Sequence, residues 1–181
     1  MSSSSPSASA AGLPEQAQGP EWGPLLSDWL PALPGVVPRL EQGAQAAEVG
    51  CGFGAAILLL ARRFPRSSFI GFDGDPAAID IARERACQWG VTDRVSFEVA
   101  RSSAFPGSGY QLICSGLHGA ADPTGSAPHV RRALAPAGTW LLVEPLAPSH
   151  ARLRELLSCG GFSRFRRVAQ TSLLSIFEAR A

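Results

Sequence analysis

The chain contains no lysine, because all 16 of its basic residues are arginine. A lysine nucleophile or a lysine Schiff base is therefore excluded from its chemistry. The arginines are nearly balanced by 15 aspartate and glutamate residues, which leaves a net charge of +1 at pH 7. So small a charge gives no general attraction to nucleic acid, anionic lipid or an acidic partner.

Long hydrophobic runs and cysteine motifs are also missing. No apolar stretch approaches the ~20 residues of a membrane-spanning helix, and MSSSSPSASAAG at the start lacks the basic and apolar regions of a signal peptide. Cys51, Cys87, Cys114 and Cys159 form no Cys-x-x-Cys pair, and no His, Cys or Asp cluster has metal-ligand spacing. We therefore expect a cytoplasmic protein with free thiols and no metal site.

The composition divides the 181 residues into three parts. Residues 1–20 are mostly Ser, Pro, Ala and Gly, which predicts a disordered tail. Residues 21–43 carry Trp and Leu at helical spacing but are broken by four prolines, so they predict one or two short helices. Two interpretations are open: the helices cover an edge of the domain, or their apolar stripe binds a partner. We favour the first. Residues 44–181 form the main predicted domain.

From Gln45 onward, strand and helix patterns alternate. Predicted strands are QAAEVG, SSFIGFD, RVSFEVA, YQLICSG and TWLLVEP, and predicted helices are GAAILLLARRF, DPAAIDIARERACQWG, SAPHVRRALAPAG (with Ser126 as its cap) and SHARLRELLSCGG. FSRFRRVA and TSLLSIFEA then predict an antiparallel hairpin. Repeated strand–helix units imply right-handed crossovers. The fold class is therefore α/β, a Rossmann-like doubly wound sheet of seven strands, mostly parallel with a C-terminal antiparallel hairpin.

The stretch EVGCGFG follows the first predicted strand and contains Gly50, Gly52 and Gly54. Glycine permits a sharp turn at positive φ and lets a ligand touch the backbone. The helix that begins near Gly54 presents free N–H groups and a partial positive charge, which suit polar or anionic ligand atoms. In parallel sheets, ligands bind beyond the carboxyl ends of the strands, so this loop is the first candidate site.

Two acidic residues flank the loop. Asp73 ends the second strand, 19 residues after Gly54, and a carboxylate there is able to hold a ribose diol. GCGFGA also fits a dinucleotide pattern, which leaves a nicotinamide oxidoreductase as an alternative. However, Glu48 precedes the first glycine, where its charge would repel a pyrophosphate and suit a cationic amino group. The residues thus indicate a nucleoside-containing cofactor.

EVGCGFG, GFDGDPAAI, RVSFEVA and LAPAGTWLLVEP, followed by the closing hairpin, resemble the class I S-adenosylmethionine-dependent methyltransferases. The resemblance runs in order over residues 44–181. The segments WLPALPGVV, LHGAADP and GFSRFRRV are similar in particular to a bacterial-type subgroup in which this domain follows a winged-helix domain. These 181 residues include no counterpart of that domain or of the subgroup's insertion after strand five.

The resemblance implies a role for each matching residue. Gly50, Gly52 and Gly54 pass under the methionine part of S-adenosylmethionine, and Glu48 reaches its amino group through water. Asp73 holds the ribose hydroxyls. Three further residues lie where the family contacts the cofactor, with the Ser102 backbone N–H at the adenine and both Leu117 and His118 near the sulfonium methyl.

The sequence departs from the family at three positions. Arg101 stands where an acid usually binds the adenine amino group, Gly74 where an apolar side chain often packs on the adenine, and Gln111 where an acid is common. The link EPLAPSH is very short, so the segments that usually roof the substrate pocket are missing. These departures keep open an alternative, a non-catalytic methyltransferase-like protein that binds the cofactor weakly or not at all and acts through a partner.

Methyl transfer from a sulfonium is an in-line displacement that alignment and exclusion of water promote, with no metal required. If the acceptor is a hydroxyl group, His118 is the candidate general base; the alternative is a loop histidine bonded to backbone. His129 is expected to face solvent, and Cys51 is interpreted as a small loop residue although a helix N-terminus would favour its thiolate. Five arginines near the C-terminus are interpreted as a solvated face rather than a nucleic-acid contact, namely Arg152, Arg154, Arg164, Arg166 and Arg167.

Overall fold

A computed structural model describes residues 22–116, 123–145 and 150–180. Its strands form one seven-stranded sheet in the order β3-β2-β1-β4-β5-β7-β6. Strands β1 to β5 pair in parallel, whereas β7 is antiparallel to both β5 and β6. The strands are β1 (Gln45–Val49), β2 (Ser68–Asp73), β3 (Val95–Val99), β4 (Tyr110–Gly116), β5 (Leu134–Pro145), β6 (Arg164–Gln170) and β7 (Leu174–Arg180). The predicted fold class is confirmed.

In the described part of the chain, a π-helical turn and five α-helices surround the sheet. They are the turn Leu25–Trp29 and α1 (Val36–Gln42), α2 (Ala55–Arg63), α3 (Pro76–Gln88), α4 (Pro123–Ala133) and α5 (His150–Cys159). Helix α3 shows how local chemistry sets its ends, since Asp75 accepts the Ala77 N–H at 2.9 Å and Gly90 adopts a φ of 64° just beyond the helix. Among the described residues, no helix has both the length and the apolar character needed to cross a membrane.

The predicted start of α4 is wrong. The helix begins at Pro123 instead of being capped at Ser126, which is buried inside it. Proline suits the first turn of a helix because its missing N–H has no intrahelical partner there. Strand β5 follows directly from Leu134, earlier than the TWLLVEP pattern predicts.

Side-chain alternation along the strands divides the core into two layers. Leu141 and Val143 face the layer that holds α2, α3 and residues 22–43, whereas Trp140 and Leu142 face the layer that holds α4 and α5. Both faces of the central strands are therefore covered, as expected for parallel sheets.

Residues 22–43 lie on the sheet face that carries the first layer. Trp22, Leu25 and Trp29 are buried there. Arginines of the hairpin hold this segment through its carbonyls, with Arg166 Nη2 donating to Ala32 O at 2.7 Å and Arg180 Nη2 to Pro34 O at 2.6 Å. Residues 1–20, predicted to be a disordered tail, lie outside the described residues.

Candidate functional site

The strand order reverses between β1 and β4, which are neighbours in the sheet. From β1 the chain proceeds outward to β2 and β3, and then returns to build β4 and β5 on the other side. Such a switch point leaves a crevice beyond the carboxyl ends of the strands. The loop of residues 50–54 follows β1 and lies at this crevice.

The glycine loop is held by the end of β2. Gly50, Gly52 and Gly54 have φ angles of 73°, 50° and 78°, a region that side chains disfavour. The N–H groups of Gly50 and Cys51 donate to Phe72 O at 2.8 and 3.0 Å. The turn is thus fixed by the neighbouring strand before any ligand binds.

Phe97 explains part of the glycine requirement, and the sequence did not indicate it. A Cβ at Gly54 would lie 2.7 Å from the buried Phe97 ring, and a Cβ at Gly71 would lie 2.5 Å from it. Gly71 pairs directly with Phe97 across β2 and β3, so the ring extends over both glycines. Gly54 is therefore required for packing as well as for a left-handed turn.

The Asp73 carboxylate accepts hydrogen bonds from two turns, the glycine loop and the turn before α3. Its Oδ2 accepts the Gly52 N–H at 2.8 Å, and its Oδ1 accepts the Asp75 N–H at 2.9 Å. A carboxylate has about four lone-pair sites, so one site on each oxygen is left for ligand hydroxyls. Apart from its two chain neighbours, no residue comes within 4 Å of a Cβ built on the next residue, Gly74. These free acceptor sites fit the two hydroxyl groups of a ribose diol.

Glu48 is buried beneath the start of α2 rather than facing the crevice. Its side chain is 2% exposed, and Oε2 accepts the Ile57 N–H at 3.3 Å. Burial raises the pKa of Glu48 to about 8, the nearby charge of Asp73 adds to this, and the Ile57 N–H opposes it. A cation bound near the loop would favour the ionised form of this carboxyl group. Its contact with the cofactor's amino group stays a prediction.

The buried thiols of the site are inert. Burial, together with the charges of Glu48 and Asp73, raises the pKa of Cys51, and burial with the charge of Glu48 raises that of Cys114. Thiols held in the neutral form are poor nucleophiles. Cys51 is thus a small packed loop residue, as interpreted from the sequence, and the helix N-terminus does not activate it.

The remaining predicted site residues follow β3 and β4. The Ala100 N–H donates to Asp73 O at 2.9 Å, which brings the next residues, Arg101 and Ser102, to the same edge of the sheet as the glycine loop. Arg101 is exposed and Ser102 is half-buried. Their contacts with a cofactor stay predictions. Leu117 and His118 lie outside the described residues, directly after the end of β4 at Gly116.

Glu144 is a further acid at this edge that the sequence reading did not single out. It is the residue after Val143, which pairs with Gly116 at the end of β4. Burial raises the pKa of Glu144 to about 7. The sequence signal for Glu144 is an acidic residue at the end of an otherwise apolar strand, LLVE.

The expectation for His129 is wrong. The side chain is half-buried, its Nε2 lies 2.7 Å from Phe105 O, and its ring packs edge-on to the Phe105 ring at 4.5 Å between centroids. The His129 side chain therefore connects α4 to the loop that precedes β4. Helix periodicity alone does not reveal this contact. Among the described residues, no group of three or more His, Cys, Asp or Glu side chains is placed to hold a metal ion.

Comparison with known proteins gives a family and several relatives. Residues 46–138, slightly more than half of the chain, match the family described as a methyltransferase domain. A trans-aconitate 2-methyltransferase of Streptomyces coelicolor is 32% identical over 136 residues, which are 70% of this chain and 42% of that protein. A trans-aconitate 2-methyltransferase of Afipia carboxidovorans is 47% identical over 49 residues, 27% of this chain and 19% of that protein. The chain thus spans less than half the length of these curated relatives.

Solved structures share the fold at low sequence identity. A TehB-like S-adenosylmethionine-dependent methyltransferase from Corynebacterium glutamicum has a TM-score of 0.61 and 17% identity, covering 76% of this chain and 79% of that one. The dimethyltransferase RosA from Streptomyces davawensis has a TM-score of 0.64 and 18% identity, covering 78% and 50%. The likeness to the winged-helix-linked subgroup is not confirmed and stays a prediction. The chain belongs to the methyltransferase-domain family, and it shares its fold with S-adenosylmethionine-dependent methyltransferases.

Proposed function

We propose that this protein transfers a methyl group from S-adenosylmethionine to a small-molecule acceptor in the cytoplasm. The observation that carries the proposal is the hydrogen bond from Gly52 N to Asp73 Oδ2, which holds the glycine loop against the acid proposed to bind the ribose, at the switch point of the sheet. The four free cysteines suit a reducing compartment.

The protein's contribution to catalysis is alignment. S-adenosylmethionine supplies an activated methyl group, so the transfer needs neither a metal nor a covalent intermediate. The loop at residues 50–54 fixes the methionine end, Asp73 fixes the ribose, and Ser102 supports the adenine. Holding both reactants in line contributes a large part of the barrier reduction, up to roughly 7–11 kcal/mol in well-oriented systems.

The acceptor decides whether a general base is needed. A hydroxyl acceptor needs a proton acceptor, for which His118 is the candidate and Glu144, at the neighbouring strand end, is a second. A carboxylate acceptor is already ionised at neutral pH and needs none. Because the two curated relatives carry trans-aconitate in their names, a tricarboxylate is the first acceptor to test.

Isothermal titration calorimetry with S-adenosylmethionine, S-adenosylhomocysteine and NAD tests the cofactor part of this proposal. Micromolar binding of the first two without NAD binding supports it. Transfer of a labelled methyl group to trans-aconitate, and then to a panel of phenols and amines, tests the acceptor.

The alternative is a non-catalytic relative that acts through a partner. Arg101 and Gly74, which stand where family members usually place adenine-binding residues, favour it. Absence of heat with S-adenosylmethionine and S-adenosylhomocysteine supports this alternative and removes the enzymatic proposal.

A further inference from the structure

A second cleft lies at the free end of the sheet, beside the N-terminus of β6. Its volume is about 480 Å³. Half of its eight lining residues are arginine, and one is acidic. The residues that matter for its chemistry are Arg154, Arg164, Arg166, Arg180, Glu178 and Pro34.

This cleft is remote from the glycine loop. In the strand register, Arg164 at the start of β6 lies opposite Arg180 at the end of β7. Arg180 in turn lies opposite Thr139, where β5 begins its continuous parallel pairing with β4 at Leu112. From Thr139 to Glu144 the strand advances about 17 Å at ~3.3 Å per residue. The cleft therefore lies near the amino ends of the parallel strands, whereas the crevice lies beyond their carboxyl ends.

Two of its guanidinium groups are rigidly held. Glu178, whose side chain is 5% exposed, accepts Arg166 Nε at 2.5 Å and Arg180 Nε at 2.6 Å. Their Nη2 groups donate to the carbonyls of Ala32 and Pro34. These bonds hold both guanidinium groups in place through Nε and Nη2, so a ligand that contacts them does not have to order the side chains.

The other two guanidinium groups are exposed. Arg154 lies over the Phe165 ring at 5.9 Å, and Arg164 begins the edge strand. Within residues 22–116, 123–145 and 150–180, neither side chain has a carboxylate partner. The cleft lining thus carries four arginines and one glutamate, a formal charge of +3 in a protein whose net charge is +1, with Arg154 approaching from the α5 side of the edge strand.

We propose that this cleft binds a small phosphate-bearing anion, with a diphosphate group as the chemistry that it fits. Guanidinium groups match phosphate oxygens through paired N–H donors. A diphosphate carries about three negative charges near neutral pH, which balances the local charge.

A long nucleic acid fits this surface less well. Strand alternation places Arg167 on the sheet face opposite Arg166, so the arginines of β6 do not form one continuous basic stripe. The bound anion links the hairpin to the segment that contains Pro34, so its binding stabilises the packing of residues 22–43 against the domain.

Calorimetry with sodium pyrophosphate at constant ionic strength tests the proposal. Arg154→Gln/Arg164→Gln removes two exposed cations and leaves the Glu178 bonds intact. Arg66→Gln/Arg132→Gln is the matched control, because it changes the net charge equally at exposed arginines outside the cleft. We expect the first double variant to bind pyrophosphate at least about tenfold more weakly than the wild type, and the control to bind like the wild type.

Three results overturn the proposal. Absence of pyrophosphate binding by the wild-type chain would show that the cleft is not a binding site. Equal loss of affinity in both double variants, or equally tight binding of citrate or sulfate at the same ionic strength, would show a non-specific charge effect. S-adenosylmethionine affinity is expected to be unchanged in Arg154→Gln/Arg164→Gln, which separates this site from the crevice at the glycine loop.

Discussion

Gly52 donates its backbone N–H to Asp73 Oδ2 at 2.8 Å, so the acid that ends β2 is also a structural support of the glycine loop. Since Asp73 Oδ1 accepts the Asp75 N–H as well, one carboxylate orders two turns at the crevice. A substitution at Asp73 therefore acts on both ligand binding and loop order.

Asp73→Ala is expected to weaken S-adenosylmethionine binding by about 1–3 kcal/mol, because hydrogen bonds to a charged acceptor are lost. Calorimetry measures the affinity. Thermal unfolding without ligand measures how much the lost loop contacts lower the stability of the protein. Asp80→Ala is the control, since Asp80 is exposed on α3 and pairs with Arg83 at the surface. An unchanged affinity in Asp73→Ala would remove this residue from the cofactor site.

Gly54→Ala is expected to destabilise the protein more than Gly90→Ala. Both positions have left-handed φ angles, 78° and 64°, so both substitutions carry a backbone cost of about 1–2 kcal/mol. A Cβ at Gly54 also meets Phe97, whereas nothing lies within 4 Å of a Cβ at Gly90. The clash adds about 1–3 kcal/mol, measured by urea unfolding without ligand.

Phe97→Leu in the Gly54→Ala background is expected to recover part of this loss, since a smaller side chain leaves room for the new methyl group. Equal costs at Gly54 and Gly90 would contradict the packing role assigned to Phe97.

The free energy of unfolding is expected to fall as the pH rises from about 5 to 8. The pKa of Glu48 is about 8 in the folded chain against a usual value of 4.5, so the native state binds more protons than the unfolded state across this window. Glu144, with a pKa raised to about 7, acts in the same direction over the lower part of the window. Urea unfolding at several pH values measures the slope.

Glu48→Gln is expected to flatten this pH dependence up to about pH 8, and Glu144→Gln to flatten it only below about pH 7. A Glu48→Gln variant whose stability varies with pH as steeply as that of the wild type would show that Glu48 titrates normally.

Glu178→Ala is expected to cost about 2–4 kcal/mol, because it leaves the guanidinium groups of Arg166 and Arg180 without their buried partner. Glu41→Ala, which breaks an exposed pair with Arg63, is the control and is expected to cost less than about 1 kcal/mol. Denaturant unfolding of both variants checks the difference. Similar losses would mean that the Glu178 network contributes no more than a surface pair.

The sequence by itself determined the order of strands and helices, the ends of α3 and the residue types of the candidate cofactor loop. Periodicity gave the alternation of strands and helices, Asp75 and Gly90 marked the ends of α3, and the loop at residues 50–54 with Asp73 indicated the site. These features are readable because caps, turns and side-chain alternation are local, involving residues a few positions apart.

Only the tertiary structure decided which distant side chains meet. Strand order and register place Phe97 over Gly54 and Gly71, and they bring Arg166 of the hairpin to the carbonyl of Ala32, 134 residues earlier. The burial of Glu48 beneath α2 is likewise set by how the helix docks on β1. Such contacts depend on the packing of whole elements, which no short stretch of sequence encodes by itself.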